Sequence, residues 1–157
     1  MLQHTEDGAI GVVINRPTDE EYVPGLDPWL HELSHPQVVF SGGPVQTNTL
    51  IAIAALTLSG DAEGLAPLDH GLATVDLSLL PEAFAETLQQ LRVFRGYSGW
   101  GAGQLDDELS EGSWLVMPYG PGDVFSTNPH GLWRNVLRRT GGRKALLADA
   151  PDALNWN

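Results

Sequence analysis

Several short patterns in this chain put chemically capable residues at spacings that known mechanisms use. His31-Glu32-Leu33-Ser34-His35 fits H-E-x-x-H, in which two histidines one helical turn apart hold zinc and the glutamate acts as base. Gly96-Tyr97-Ser98-Gly99-Trp100 approaches the nucleophile elbow G-x-S-x-G, with Ser98 as the attacking hydroxyl. Gly99, Gly101 and Gly103 approach a dinucleotide fingerprint, and Asp106 and Glu108 behind them are carboxylates that a small hydrolase could use as acid or base. Finally Arg134, Arg138, Arg139, Arg143 and Lys144 bring five of the eight basic residues into eleven positions, the composition of a polyanion contact.

Each pattern meets a physical objection. Pro36 biases His35 away from helical angles and so spoils the one-turn spacing of the histidines, and no downstream histidine at a recognised spacing supplies a third ligand. No metal is therefore expected. In the elbow, Trp100 stands where glycine must let the backbone pack beneath the nucleophile. In the fingerprint, Gln104 replaces the last glycine, and Asp106, Asp107 and Glu108 at the helix start would repel a pyrophosphate, so no cofactor is expected. The basic cluster lies near or beyond a helix C-terminus, where cations offset the dipole and the unpaired carbonyls; Asp149 and Asp152 flank it, and no second helix stands at helix-turn-helix spacing.

The elements that must position these residues follow from pattern and punctuation. The stretch 91–118 reads as strand, glycine loop, short helix, strand. In its helix Ala102, Leu105 and Leu109 share a face, Asp106 lies at the rim of that stripe, and with Gly101 as N-cap the Gln104 side chain reaches back to the cap amide. Upstream, Thr5-Glu6-Asp7-Gly8 is a turn and 9–14 a strand with Ile10, Val12 and Ile14 on one face. Asn15-Arg16-Pro17 ends that strand, and Arg16 suits either an anion or, as the favoured reading, an internal salt bridge. Asp27, as cap, and Pro28 open a short helix with Trp29, Leu30 and Leu33 on its apolar side. Val38-Val39-Phe40 is a strand running into Ser41-Gly42-Gly43-Pro44, whose glycines give either an anion-holding turn or a tight crossing beneath another loop; the crossing is favoured.

Residues 49–56 form a continuous apolar run that reads equally as a buried strand or a helix, 58–71 read as loop and 72–77 as strand. Pro81 begins a helix with Leu80, Phe84, Leu88 and Leu91 inward. Val124 and Phe125 anchor into the core, and Asn128-Pro129 introduces a last helix with Leu132, Trp133, Val136 and Leu137 inward. No domain boundary is implied.

Gly-Trp-Gly-Ala-Gly-Gln-Leu-Asp-Asp-Glu-Leu (99–109), Gly-Ser-Trp-Leu (112–115), Gly-Ala-Ile-Gly-Val-Val-Ile-Asn-Arg-Pro (8–17) and Phe-Ser-Gly-Gly-Pro-Val (40–45) form collinear blocks, followed by Phe125, Leu132-Trp133 and Leu154-Asn155. In these the chain resembles the YqgE/AlgH family. The resemblance implies a bacterial single α+β domain over 1–157, a bent mixed sheet closing into a partial barrel with about four helices around it. Some members carry the label transcriptional regulator, and no established catalytic residues come with it. Members usually begin with a further strand, whereas Met1-Leu2-Gln3-His4 matches the end of their second. That predicts an open sheet edge, a partner or a second copy covering it, or marginal stability.

Composition sets the remaining bounds. The chain has 157 residues, 42% hydrophobic and 18% charged, and a formal charge of −12, as expected of an ordinary acidic globular protein that repels nucleic acid and anionic membranes. The absence of cysteine removes disulfides and thiolate chemistry, and the longest apolar run is far below spanning length, so a cytoplasmic protein is expected. The leading reading is a non-enzymatic binding or regulatory domain that engages a small ligand or protein partner through Asn15, Arg16, Gly42, Gly43, Tyr97, Ser98, Gly99, Trp100 and Asp106, loops held on a rigid sheet. The alternatives are a hydrolase using Asp106 or Glu108 and a DNA-associated regulator using 134–144.

Overall fold

The computed structural model describes residues 1–20, 23–57 and 62–149. Its strands are β1 (Gln3–Thr5), β2 (Gly8–Gly11), β3 (Phe40–Ser41), β4 (Val45–Leu56), β5 (Leu65–Pro67), β6 (Leu72–Val75) and β7 (Leu88–Gly101). The sheet runs β1-β2-β7-β4-β6-β5, antiparallel throughout that path, with β3 parallel to β7. It curls into a half-barrel, and the fold is α+β as expected. Three α-helices, α1 (Gln104–Ser110), α2 (Leu132–Thr140) and α3 (Gly142–Leu146), and five 3-10 turns surround it among the described residues.

Two cores lie on opposite faces of the central β4–β7 pair, because alternate residues of a strand face opposite ways. Leu91 and Val93 of β7 and Ala52 and Ala54 of β4 join Leu26, Trp29, Leu33 and Phe84 on one face. Phe94 and Ile53 join Phe40, Val124 and Phe125 on the other, where the predicted 124–125 anchor is 6% and 4% exposed. Leu2, Val12, Ile14, Leu68 and Tyr119 pack around this second core.

The expected helix from Pro81 is absent. Pro81–Phe84 is one 3-10 turn, and β7 begins at Leu88. Phe84 is buried against Trp29 at 5.7 Å between ring centroids, but Leu80 is 63% exposed. The spacing that mimics a helical stripe is outweighed by a ladder in which Leu88 pairs with Leu56 and Leu91 with Ala54.

The glycine loop is absent too: β7 carries straight on through Gly96 and Gly99 to Gly101. The segment after α1 enters no ladder, so the second strand expected in 91–118 does not form, while part of the expected loop at 58–71 does, as β5. β2 ends at Gly11 rather than at Ile14. Leu26, not Asp27, is the N-cap of the turn Asp27–Glu32, in which Leu30 is exposed. In α2, Leu132 and Leu137 are buried but Trp133 is 49% exposed. Residues 58–61 of the expected loop, Asp152 and the Leu154-Asn155 block lie outside the described residues.

Candidate functional site

One edge of β7 serves two neighbours in succession: β3 pairs with Phe94 and Arg95, and β2 with Ser98 to Gly101. The switch between them falls on Gly96 and Tyr97, where Gly42 and Gly43 cross. The Gly42 amide donates to the Arg95 carbonyl and the Gly42 carbonyl accepts from Val13, both at 2.8 Å. A Cβ on Gly42 would sit 2.3 Å from the Gly96 oxygen, and one on Gly43, whose φ is +154°, 2.2 Å from the Tyr97 carbonyl carbon. Gly96, at φ +67°, has the Gly43 oxygen where its own Cβ would be, at 2.6 Å. These glycines support the crossing: their missing side chains let three backbones meet.

Most of the sequence-predicted site residues therefore converge. Ser98 pairs with Gly11, Gly99 with Ile10, and Trp100 with Ala9. Asn15 is half-buried, and Arg16 is exposed with its carbonyl accepting from the Ser41 amide. The salt bridge favoured for Arg16 is not formed among the described residues; Arg95 pairs with Glu20 instead, at 3.1 Å.

α1 is capped differently from expectation. Gly103, at φ +73°, is the N-cap, leaving Ala102 outside the helix, yet the Gln104 side chain still accepts from the Gly101 amide at 3.1 Å. Gln104 then donates to Glu108 Oε1 at 2.9 Å. The indole N–H groups of Trp114 and Trp100 both donate to Glu108 Oε2, at 2.7 and 3.1 Å, and the two rings meet edge to face at 5.8 Å. The Trp114 bond, then the Gln104 and Trp100 bonds, hold the Glu108 carboxyl below the usual carboxylate range. Asp106 meets His4 of β1 at 3.3 Å. Both carboxylates are thus held by side chains and not by backbone amides, and neither faces Arg16 or Ser98 in these contacts. No sequence signal linked Glu108 to the two tryptophans, which come from β7 and from the chain beyond α1.

His31 and Glu32 end a 3-10 turn and Leu33 is extended, so the two histidines of H-E-x-x-H do not share a helix face. The basic cluster is largely engaged within the chain. Arg138 meets Asp149 at 2.9 Å, Arg139 grips Asp123 with two bonds of 2.7 Å, Arg134 donates to the Ala148 carbonyl, and Lys144 donates to the Val116 carbonyl at 3.0 Å. Burial alone would raise the Asp123 carboxyl, but Arg139 and the Gly120 amide together bring it below its ordinary value.

Two features had no sequence signal. Arg92 is 1% exposed, lies 4.2 Å from the Phe40 ring centroid, and donates to the carbonyls of Ser126, Ser34 and His35; burial brings its guanidinium down to about 10. The other is a shallow, open groove of about 390 Å³. Leu2 and Ile10 line it from the β1–β2 side, Leu50 and Ile51 from β4, and Leu68 and Val75 from the β5–β6 side, with Gln3 and Thr74 adding polar groups.

Comparison with known proteins matches the AlgH-like family model over residues 1–145. The chain belongs to this family. It is 45% identical to a UPF0301 protein of Streptomyces avermitilis, covering all of this chain and 83% of that one, and 36% identical to one of Mycobacterium tuberculosis, covering all of this chain and 79% of that one. Among solved structures it resembles protein DIP2367 of Corynebacterium diphtheriae, with a TM-score of 0.86 and 26% identity over 94% of this chain and 79% of that one. It also resembles AlgH of Pseudomonas aeruginosa, with a TM-score of 0.68 and 29% identity over 95% of this chain and 81% of that one. These AlgH-like relatives are bacterial, as the sequence blocks implied. No helix among the described residues is long and apolar enough to cross a membrane.

Proposed function

We propose that this AlgH-like domain is a non-catalytic binding module that takes an apolar small ligand in the groove between the β1–β2 and β5–β6 sides of the half-barrel. The observation that carries this reading is the groove itself. Its volume of about 390 Å³ falls within the few hundred to a thousand Å³ usual for small-molecule sites, and although it is a shallow groove open to solvent, its walls are mostly apolar with a few polar groups to orient a guest. The glycine crossing serves as scaffold, since it fixes β2 and β3 against β7. The groups an acid–base step would employ have other duties: Glu108 holds two indoles, and Asp106 faces His4. The engagement of the basic cluster by Asp149, Asp123 and backbone carbonyls likewise favours a structural role for 134–144 over a polyanion contact.

Native mass spectrometry of protein purified from its own host tests the proposal. The expected result is a retained apolar molecule that is lost in Thr74→Trp, whose larger side chain fills the groove. Retention unchanged in that variant, or a guest displaced by changes at Ser98 or Asp106 instead, overturns it.

A further inference from the structure

Pro17 bridges Phe40 in the antiparallel sense, and the Ser41 amide donates to the Arg16 carbonyl at 2.8 Å, so Arg16 stands opposite Ser41. Ser41 in turn pairs with Arg95 of β7. Directly opposed residues share a face of a sheet, and two strand spacings put the Arg16 and Arg95 Cα atoms roughly 10 Å apart with Ser41 between them. Phe40 and Phe94, one position back, belong to the second core, so this row lies on the opposite face. Its polar groups are short of partners. Among the described residues the exposed Arg16 side chain and the Ser41 hydroxyl make no hydrogen bond or ion pair. The Arg95 guanidinium has one contact, from Nη2 to Glu20 Oε2 at 3.1 Å, and its Nε is buried with no partner. With twenty acidic residues against eight basic ones, carboxylates are in excess, yet Arg16 takes none of those described.

We propose that Arg16, Ser41 and Arg95 form a site for a phosphate group, taken up as the free ion or on a small phosphomonoester. The two guanidinium forks close on the anion from either side of Ser41, and the hydroxyl donates to it from the sheet. The count of donors selects the class of ligand. Two forks and a hydroxyl offer about five bonds, more than the roughly four acceptor sites of a carboxylate and within the capacity of the phosphate oxygens. Glu20 is the built-in competitor, since it holds Arg95 Nη2 and an entering anion must take its place. A phosphate dianion does so because it is drawn to two cations, whereas Glu20 meets only Arg95. The net charge of −12 opposes any anion at long range, but contacts made well inside a Debye length of about 8 Å are governed by the two arginines. The inference does not rest on the groove, which none of the three residues lines.

Titration of the full chain with inorganic phosphate at constant ionic strength, followed by the backbone amide and arginine Nε–H resonances, tests it. Saturable shifts at Ser41, Arg95 and the Arg16 Nε–H are expected, with a dissociation constant of roughly 1 mM for a few charge-assisted bonds made in water. Arg16→Gln raises that constant at least about tenfold while leaving the thermal melt unchanged, because the Arg16 side chain holds nothing in the described chain. Glu20→Gln lowers it about threefold by removing the competitor. Arg143→Gln, the same loss of charge at another exposed arginine, leaves it within about twofold, and acetate binds at least about tenfold more weakly than phosphate. Glycerol phosphate run beside inorganic phosphate shows, by the tighter of the two, whether the monoester or the free ion is the occupant. The absence of a saturable shift, binding indifferent to Arg16→Gln, an equal loss in Arg143→Gln, weaker binding in Glu20→Gln, or acetate equal to phosphate each overturns the proposal.

Discussion

Replacing Gly43 with alanine separates two roles for the glycine crossing. A binding turn would leave its Cβ positions open toward a guest, so alanine there would cost the fold little. In this structure the new methyl would lie 2.2 Å from the Tyr97 carbonyl carbon, 2.4 Å from its oxygen and 2.5 Å from the Ser98 nitrogen, all backbone atoms that cannot swing aside. Overpacking of this kind costs about 1–3 kcal/mol, and holding a non-glycine residue in a sparsely populated backbone conformation, here at φ +154°, adds about 1–3 kcal/mol. The expected loss is about 2–6 kcal/mol. At roughly 2–4 °C per kcal/mol for a chain of this size, the middle of that range lowers the melting temperature by about 12 °C. Gly25→Ala is the matched control: its φ is +83°, but nothing lies within 4 Å of the added atom, so only the backbone cost of about 1 kcal/mol applies, or about 3 °C. Thermal unfolding followed by circular dichroism, with urea midpoints at constant m, reads both. If Gly43→Ala melts within the same few degrees as Gly25→Ala, the crossing is not a packing device and the anion-turn reading returns.

Acid titration should show Glu108 acting with its indoles. Its folded-state carboxyl sits below the usual range, so its contribution to stability is present above the unfolded value of about 4.3 and is lost as pH falls through the lower folded value; Glu108→Ala flattens that acid limb, and the Nε1–H resonances of Trp100 and Trp114 titrate together only in the parent chain. Phe84→Ala, at a fully buried ring against Trp29, should cost about 3–5 kcal/mol in urea unfolding, whereas Leu80→Lys should stay within about 0.5 kcal/mol, opposite to what an amphipathic helix from Pro81 would give for Leu80. Arg92→Lys keeps the charge but cannot reproduce a fork onto the carbonyls of Ser126, Ser34 and His35, so a loss of about 2–3 kcal/mol is expected; an unchanged urea midpoint would show those contacts to be dispensable.

Where the sequence was legible, local chemistry and tertiary structure agreed. Val124 and Phe125 entered the core, and Gln104 reached the Gly101 amide although the helix begins two residues later than its cap pattern implied; the apolar run at 49–56, open between strand and helix by its pattern and assigned to a strand only through the family resemblance, lies in β4. Where they disagreed, pairing partners decided. Leu80, Phe84, Leu88 and Leu91 fit a helical period, but Leu91 and Val93 also fit a strand face, and only β4 across the sheet selects the strand. Glycines at 96, 99 and 101 looked like a loop because a strand gains little from them; the reason for Gly96 is the backbone crossing it, which no local pattern displays, while no backbone crowds Gly99 or Gly101. Arg92 was unreadable for a similar cause, since an arginine among apolar neighbours gives no hint that three carbonyls from distant segments await it. The groove draws its walls from residues 2 to 75, so no single motif could have announced it.

The crossing and the groove have one origin. β7 is fourteen residues long, and a strand of that length continuing flat would keep one neighbour along each edge. Within this continuous strand the left-handed Gly96 marks the point where Gly43 crosses, so β3 pairs before it and β2 after it, while the β4 register shifts between Val45 and Leu50 on the other edge. Such irregularities in adjacent strands re-aim the sheet. The re-aimed half carries β2 and β1 round, so that Leu2 and Ile10 line the same groove as Leu68 and Val75 from the opposite end of the sheet. Under the proposal of a ligand in the groove, the glycines that sequence reasoning assigned to a binding loop act at one remove, through the curl that brings the walls of the groove together. Stiffening or straightening β7 at Gly96 should change the groove before it changes either core.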